Sequence, residues 1–207
     1  MYQKIGLKMA TSYSPNFNLP KRVKNRIKFI IIHYTGMKKE SAAIKRLQDP
    51  KSKVSSHYLI KNNGGIINLV PDLYEAWHAG VSSWKHFTSL NKNSIGIEIT
   101  NPGHQHGYRN FSSKQILSLK KLLYFLIKKY RIKKKCVLGH SDISPSRKKD
   151  PGEKFPWEYL AKKNIQPIFK YLSSFCFMIS SLLIDNKVSS LFSITFPMAF
   201  IAISGFL

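Results

Sequence analysis

Hydrolytic chemistry needs groups that bind a cation, move a proton and steady a developing negative charge. A few residues here have the right type and setting. His33 closes the apolar run IKFIIIH and His140 closes KCVLGH. The end of a buried strand in an α/β sheet opens onto the crevice where ligands are bound. Two histidines on neighbouring strand ends could share a divalent ion, and a catalytic zinc site takes three protein ligands and keeps a fourth position open. Cys136 lies four residues before His140, ~13 Å away at strand rise, too far to join the same ion. Asp142 and Asp150 remain as third ligands, and spacing does not choose between them. Asp150 requires the loop to double back, which Pro145 and Pro151 favour. With only 10 Asp+Glu in 207 residues, Glu98 in NSIGIEI also stands out.

Both aspartates lie in GHSDISPSRKKDPG, residues 139–152. The segment has no amphipathic period, and its prolines forbid regular structure across the middle. A loop of this composition is either a solvated connector or a reactive segment held by a rigid scaffold. The flanking sequence supplies a scaffold. IKFIIIH reads as a strand buried on both faces. ESAAIKRLQDP (40–50) reads as a helix stopped before Pro50. SHYLIKNNGGIINLV (56–70) is a hairpin turning through Asn62-Asn63-Gly64-Gly65. NSIGIEI (93–99) alternates as a strand. SSKQILSLKKLLYFLIKKY (112–130) predicts a long helix, with a Ser112/Gln115 capping box and an apolar stripe at 116, 119, 122, 123, 126, 127 and 130. KCVLGH (135–140) predicts a short strand ending on its histidine, and WEYLAKKN (157–164) a terminal helix. This order predicts an α/β domain over 23–168, a central mixed β-sheet flanked by helices. Residues 1–22 read as an irregular leader.

Residues 169–207 form an apolar tail, and 188–207 are twenty uncharged positions. That is the length of a membrane span, although Pro197 and five Ser/Thr weaken the reading. The alternatives are a membrane-associated tail, a packed extension and a degenerate end. The formal charge is +24, from 34 Lys+Arg. Such an excess attracts polyanions, but the lysines are spread over the whole chain and no compact basic helix interleaved with aromatics stands out, so nucleic acid is not an expected partner. Two cysteines build neither a disulfide framework nor a metal knuckle. The N-terminus has no apolar run of signal-peptide length, so the expected location is the cytoplasm, and the expected state a monomer.

Five blocks in order, FIIIHYTG, VSSHYLI, AWHAGVSSW, NSIGIEI and GHSDISPSRKKDPG with the following FPW, resemble the AmpD-type N-acetylmuramoyl-L-alanine amidases. That superfamily also holds phage-type amidases and peptidoglycan recognition proteins. The resemblance runs from about Lys28 to Trp157. It implies the amidase fold, one Zn2+ per chain held by His33, His140 and Asp150, a catalytic carboxylate at Glu98 and a catalytic lysine at Lys148. Asp150 as ligand, Ser56 before His57, and Glu98 set the chain apart from the phage branch. Tyr34, Trp77 and His78 are candidate walls of the substrate cleft and Asn91 a candidate floor, with scaffold roles as the alternative for His78. His57 reads as scaffold and Asp142 as a brace of its loop. The implied reaction cleaves the amide between N-acetylmuramic acid, or its 1,6-anhydro form, and L-alanine in peptidoglycan or muropeptides during wall turnover. The alternative is a non-catalytic peptidoglycan-binding module on the same scaffold.

Overall fold

The apolar run at 29–34 becomes a strand in which five of the six residues are buried. In the computed structural model, which describes residues 9–165, the chain forms ten strands in order. They are β1 (Met9–Thr11), β2 (Phe17–Asn18), β3 (Phe29–Tyr34), β4 (Tyr58–Ile60) and β5 (Ile66–Asn68). There follow β6 (Glu75–Ala76), β7 (Ser83–Trp84), β8 (Phe87–Thr88), β9 (Ser94–Ile99) and β10 (Val137–Gly139). Six of them make one mixed sheet in the order β1-β5-β4-β9-β3-β10, while β2–β6 and β7–β8 are small antiparallel ribbons. β4, β9, β3 and β10 run parallel, and β5 turns back against β4 through the Asn62–Gly65 turn. Central parallel strands need cover on both faces, which is why β3 is almost continuously apolar.

β9, SIGIEI, alternates, and its period of two sorts core from chemistry. Ile95, Ile97 and Ile99 enter one core with Ile30, Ile32, Tyr58 and Ile60. Ser94, Gly96 and Glu98 therefore face the other side of the sheet. The same parity on β3 puts Phe29 and Ile31 with Ala79, Leu90, Leu138 and Ile143, and His33 follows them on that side.

The first face is covered by α2 (Ser113–Tyr130), whose Leu119, Leu122, Leu123 and Leu126 are fully buried. Its capping box is complete: Ser112 Oγ accepts the Gln115 N–H at 3.2 Å and Gln115 Oε1 accepts the Ser112 N–H at 2.9 Å. At its C-terminal end, buried Asp72 accepts hydrogen bonds from Lys129 Nζ (2.7 Å), the Tyr130 hydroxyl (2.6 Å) and the Tyr58 hydroxyl. Burial opposes ionisation of Asp72, but these donors outweigh it and hold the carboxyl below its ordinary value. The other face carries α1 (Glu40–Gln48), which packs Leu47 against Leu59, Ile67 and Leu69. The last helices are short, α3 (His140–Ile143) and α4 (Trp157–Lys162).

Two expectations change. The stretch 1–22 is not wholly an irregular leader: β1 joins the sheet edge parallel to β5, and β2 pairs with β6. Strands of two or three residues are too short to show a period, and their pairing is tertiary. Arg22 is buried, donating to the carbonyls of Asn91, Ser94 and Asp72. The strand expected over 135–140 ends at Gly139, and His140 begins α3 instead. The apolar tail and its proposed membrane contact lie outside the described residues, among which no helix is long and apolar enough to cross a membrane.

Leu122→Ala is expected to cost about 2–5 kcal/mol of stability and Ser112→Ala about 1 kcal/mol. Both should show as shifted denaturant midpoints with an unchanged m-value.

Candidate metal centre and cleft

Strand register assembles the centre. β3 and β9 pair with His33 opposite Glu98, and β10 lies along β3 with Gly139 opposite Ile32. The next residue, His140, therefore stands beside His33. There the chain bends into α3, because Asp142 Oδ2 accepts the Gly139 N–H at 2.6 Å. The loop beyond α3 turns back on itself. Ser141 N–H donates to the Asp150 carbonyl at 2.8 Å, and Arg147 Nη2 donates to the Ala79 and Val81 carbonyls at 3.0 and 2.9 Å. These bonds bring the Asp150 carboxylate back to the two rings.

His33 Nδ1, His140 Nδ1 and Asp150 Oδ2 form a triangle with edges of 2.9, 3.0 and 3.1 Å, and all three residues are buried. Tetrahedral ligands at zinc bond lengths stand ~3.3 Å apart, so the donor set fits one ion with little adjustment. Protonation agrees. Burial, helped by the charge of His140, lowers His33 to about 4 against the pull of Asp150. It is therefore neutral near pH 7, the form that binds a metal. Burial works against ionising Asp150, but the adjoining His140 and His33 rings override it and hold the carboxyl well below the usual range.

A cleft of about 710 Å³ opens over the triangle, lined by the three donors and by Glu98, Lys148, Tyr34, Trp77 and His78. Glu98 Oε2 is shut off from solvent and has no hydrogen-bond partner among the described residues. Burial, and then the negative charge of Asp150, raise its pKa to about 8, against the opposing charge of Lys148. A half-buried acid with one oxygen shut off from solvent and unused, placed beside a cation site, is the pattern of a group kept for proton transfer.

The other expected residues divide. Trp77 lines the cleft and anchors its indole N–H on Asn18 Oδ1 at 2.8 Å. His78 lines the cleft too, with Nδ1 at 3.0 Å from His33 Nε2. Asn91 is not among the lining residues: its Oδ1 accepts the His78 and Ala79 N–H groups at 3.1 and 2.7 Å, so it braces the wall from behind instead of forming the floor. His57 is scaffold, its Nδ1 accepting the Gly96 N–H at 2.9 Å and its Nε2 facing the Tyr74 carbonyl at 3.0 Å. Asp142, as the cap of α3, lies outside the triangle. The sequence reading missed a rim group. Tyr34 Oη meets His104 Nδ1 at 2.8 Å, and His104 Nε2 meets Glu153 Oε2 at 2.9 Å. The signal available was position, since His104 sits in the loop just past the C-terminal end of β9.

The family model described as N-acetylmuramoyl-L-alanine amidase matches residues 23–153. The chain belongs to that amidase family. Among curated relatives, the amidase AmiD of Escherichia coli K12 is 43% identical over 152 residues, covering 68% of this chain and 54% of AmiD. The 1,6-anhydro-N-acetylmuramyl-L-alanine amidase AmpD of Haemophilus influenzae is 42% identical over 107 residues, 51% of this chain and 56% of AmpD. Among solved structures, E. coli AmiD in complex with anhydro-N-acetylmuramic acid-L-Ala-D-γ-Glu-L-Lys superposes with a TM-score of 0.65 at 38% identity, over 72% of this chain and 62% of that one. AmpDh3 of Pseudomonas aeruginosa with anhydromuramic pentapeptide gives 0.64 at 34% identity, over 73% and 65%. The chain spans about half the length of the curated relatives it matches.

If the triangle is the metal site, His33→Ala or Asp150→Ala will weaken Zn2+ binding by more than ~100-fold while the far-ultraviolet spectrum keeps its folded shape. Asp142→Ala will leave the affinity within a few-fold and cost about 1 kcal/mol of stability through the lost cap. Chelator competition and thermal melts measure both.

Proposed function

We propose that this chain is a zinc-dependent amidase. Its substrate would be the amide joining the lactyl group of N-acetylmuramic acid, or of its 1,6-anhydro form, to the L-alanine of a stem peptide. The observation that carries the reading is Glu98. A module that only binds wall fragments has no use for a carboxylate with one oxygen shut off from solvent and unused, set opposite His33 in a cleft shared with Lys148. The substrate assignment is supported by AmiD and AmpDh3, whose structures hold anhydromuramyl peptides. The cleft suits such ligands: Arg46, Arg147, Lys148 and Lys149 line it, and stem peptides carry free carboxylates. Soluble muropeptides of wall recycling are the substrates we favour over intact peptidoglycan.

His33, His140 and Asp150 would hold the zinc, and two neutral imidazoles with one carboxylate leave it a net positive charge. Bound there, zinc supplies Lewis acidity and lowers the pKa of water from near 16 to roughly 7. The chain's own groups do the rest. Glu98, ionised, takes the proton from the attacking water and then gives it to the departing alanine nitrogen. The raised pKa suits the second step, because an acid near 8 holds a proton at the pH where the amine must leave. Lys148 lines the same cleft and would steady the oxyanion that develops on the scissile carbonyl oxygen, an effect worth about 3 kcal/mol per donor in other hydrolases. Trp77 and Tyr34 wall the cleft.

Glu98→Gln is expected to retain zinc and lower kcat by ~10²–10⁴-fold; an unchanged rate would remove Glu98 from catalysis. The acid limb of kcat/KM should fall between 4.5 and about 8, because burial raises Glu98 while Lys148 and a bound cation lower it. Activity is lost as pH drops through that value, since only the carboxylate accepts a proton. Mass spectrometry should find free stem peptide and anhydro-N-acetylmuramic acid as products from anhydro-muropeptide, with slower release from intact sacculi. Full turnover after exhaustive chelation would reject the mechanism.

A further inference from the structure

A histidine that binds a metal through Nδ1 must carry its proton on Nε2, and what holds that proton decides how readily the metal is accepted. His140 is settled directly: its Nε2 lies 3.0 Å from the Ala79 carbonyl, which can only accept. His33 has no carbonyl there. Its Nε2 meets another imidazole, His78 Nδ1, at 3.0 Å, and a ring nitrogen can donate or accept. Followed outward, the bonds remove that freedom. His78 Nε2 lies 3.1 Å from Ser94 Oγ, and Ser94 Oγ lies 2.6 Å from the Leu90 carbonyl. A carbonyl has no proton, so the single hydroxyl proton of Ser94 goes to Leu90. Ser94 Oγ can then only accept, from His78 Nε2–H. That leaves His78 Nδ1 bare, and His33 must present Nε2–H to it and a free Nδ1 to the triangle.

We propose that His78 and Ser94 are positioning residues that set the tautomer of His33 for metal binding, with the Leu90 carbonyl fixing the direction of the whole chain of bonds. This inference rests on the metal reading of the triangle and adds residues that reading did not need. A second observation supports it. A Cβ at Gly96 would lie 2.4 Å from the His78 ring, so the ring occupies space that only glycine leaves on β9. Asn91 pins the His78 backbone from behind. His78 therefore lies between β9 and its own strap with little room to turn. The strap Trp77–Ala79 thus serves both metal-binding histidines, one through a side chain and the other through a backbone carbonyl.

The test uses the full chain labelled with ¹⁵N-histidine, with nitrogen–proton correlation spectra of the metal-free protein and Zn2+ affinity from chelator competition. In the wild type, His33 and His78 should both show the Nε2–H pattern. Ser94→Ala removes the acceptor for His78, and His33 should then show mixed tautomers with Zn2+ affinity falling ~10–100-fold. His78→Leu should lose as much, whereas His78→Asn, which can place an oxygen where Nδ1 sits, should recover most of it. A merely space-filling role would be served better by leucine. Should His78→Leu fail to fold, Ser94→Ala, which deletes one atom, still decides. Nδ1–H on His33 in the wild type, or Zn2+ affinity unchanged within about twofold in Ser94→Ala, overturns the proposal. Wild-type protein with the expected tautomers but no Zn2+ affinity would instead overturn the metal reading beneath it.

Discussion

Two imidazoles and a carboxylate held about 3 Å apart, away from water, are the constraint to which the rest of this molecule answers. Without a cation between them the ring lone pairs and the carboxylate oxygen crowd one another, and burial adds to the cost. Such an arrangement persists only where the surrounding structure determines it from several directions. Here the determination is threefold: parallel register puts His140 beside His33, the Asp142 cap bends the chain off the sheet, and the Ser141 and Arg147 bonds return Asp150.

The division of the sheet into two faces is what makes the arrangement affordable in energy. One face is apolar and carries the long α2, with four fully buried leucines over the isoleucines of β3 and β9. At about 1.5–3 kcal/mol per large buried side chain, that face can offset several strained or desolvated polar groups on the other. Ser94, Gly96 and Glu98 are the alternate positions of the same strand, between the core isoleucines. A one-residue slip of β9 would turn the isoleucines into the cleft and the glutamate into the core. Stability and chemistry therefore share one register and cannot be adjusted separately.

How much of this is readable in the residues follows the range of the interactions. α2 is legible because eighteen residues of helical period and a capping box are local signals. His33, His140 and Glu98 are legible because strand ends and rare carboxylates are visible in one dimension. Asp150 is not, because the choice between it and Asp142 is made by a loop closure that involves Ala79 and Val81, some seventy residues away. Family resemblance pointed to it; spacing did not. Asn91 and His78 show the same limit. Both are near the site in sequence pattern, but only layering tells that one braces the strap from behind while the other stands between the His33 ring and a serine. β1 and β2 carry no period at all and exist through their partners.

Glu98 shows what the site costs. Its folded pKa of about 8 lies above its ordinary 4.5, so between those values the native state holds a proton that the unfolded chain has released. Stability is fully present below about 4.5 and declines as pH rises through the window, at up to 1.36 kcal/mol per unit. A neutral glutamine would avoid that decline, and so would a cation in the triangle, by pulling the pKa down. The acid that weakens the fold at neutral pH is thus the group that a metal in the triangle would stabilise and, on the proposed mechanism, put to use. On the proposed mechanism, metal binding, folding and proton transfer would be linked through one carboxyl group. That linkage explains why the orphaned oxygen of Glu98 belongs with the triangle and not with the core behind it.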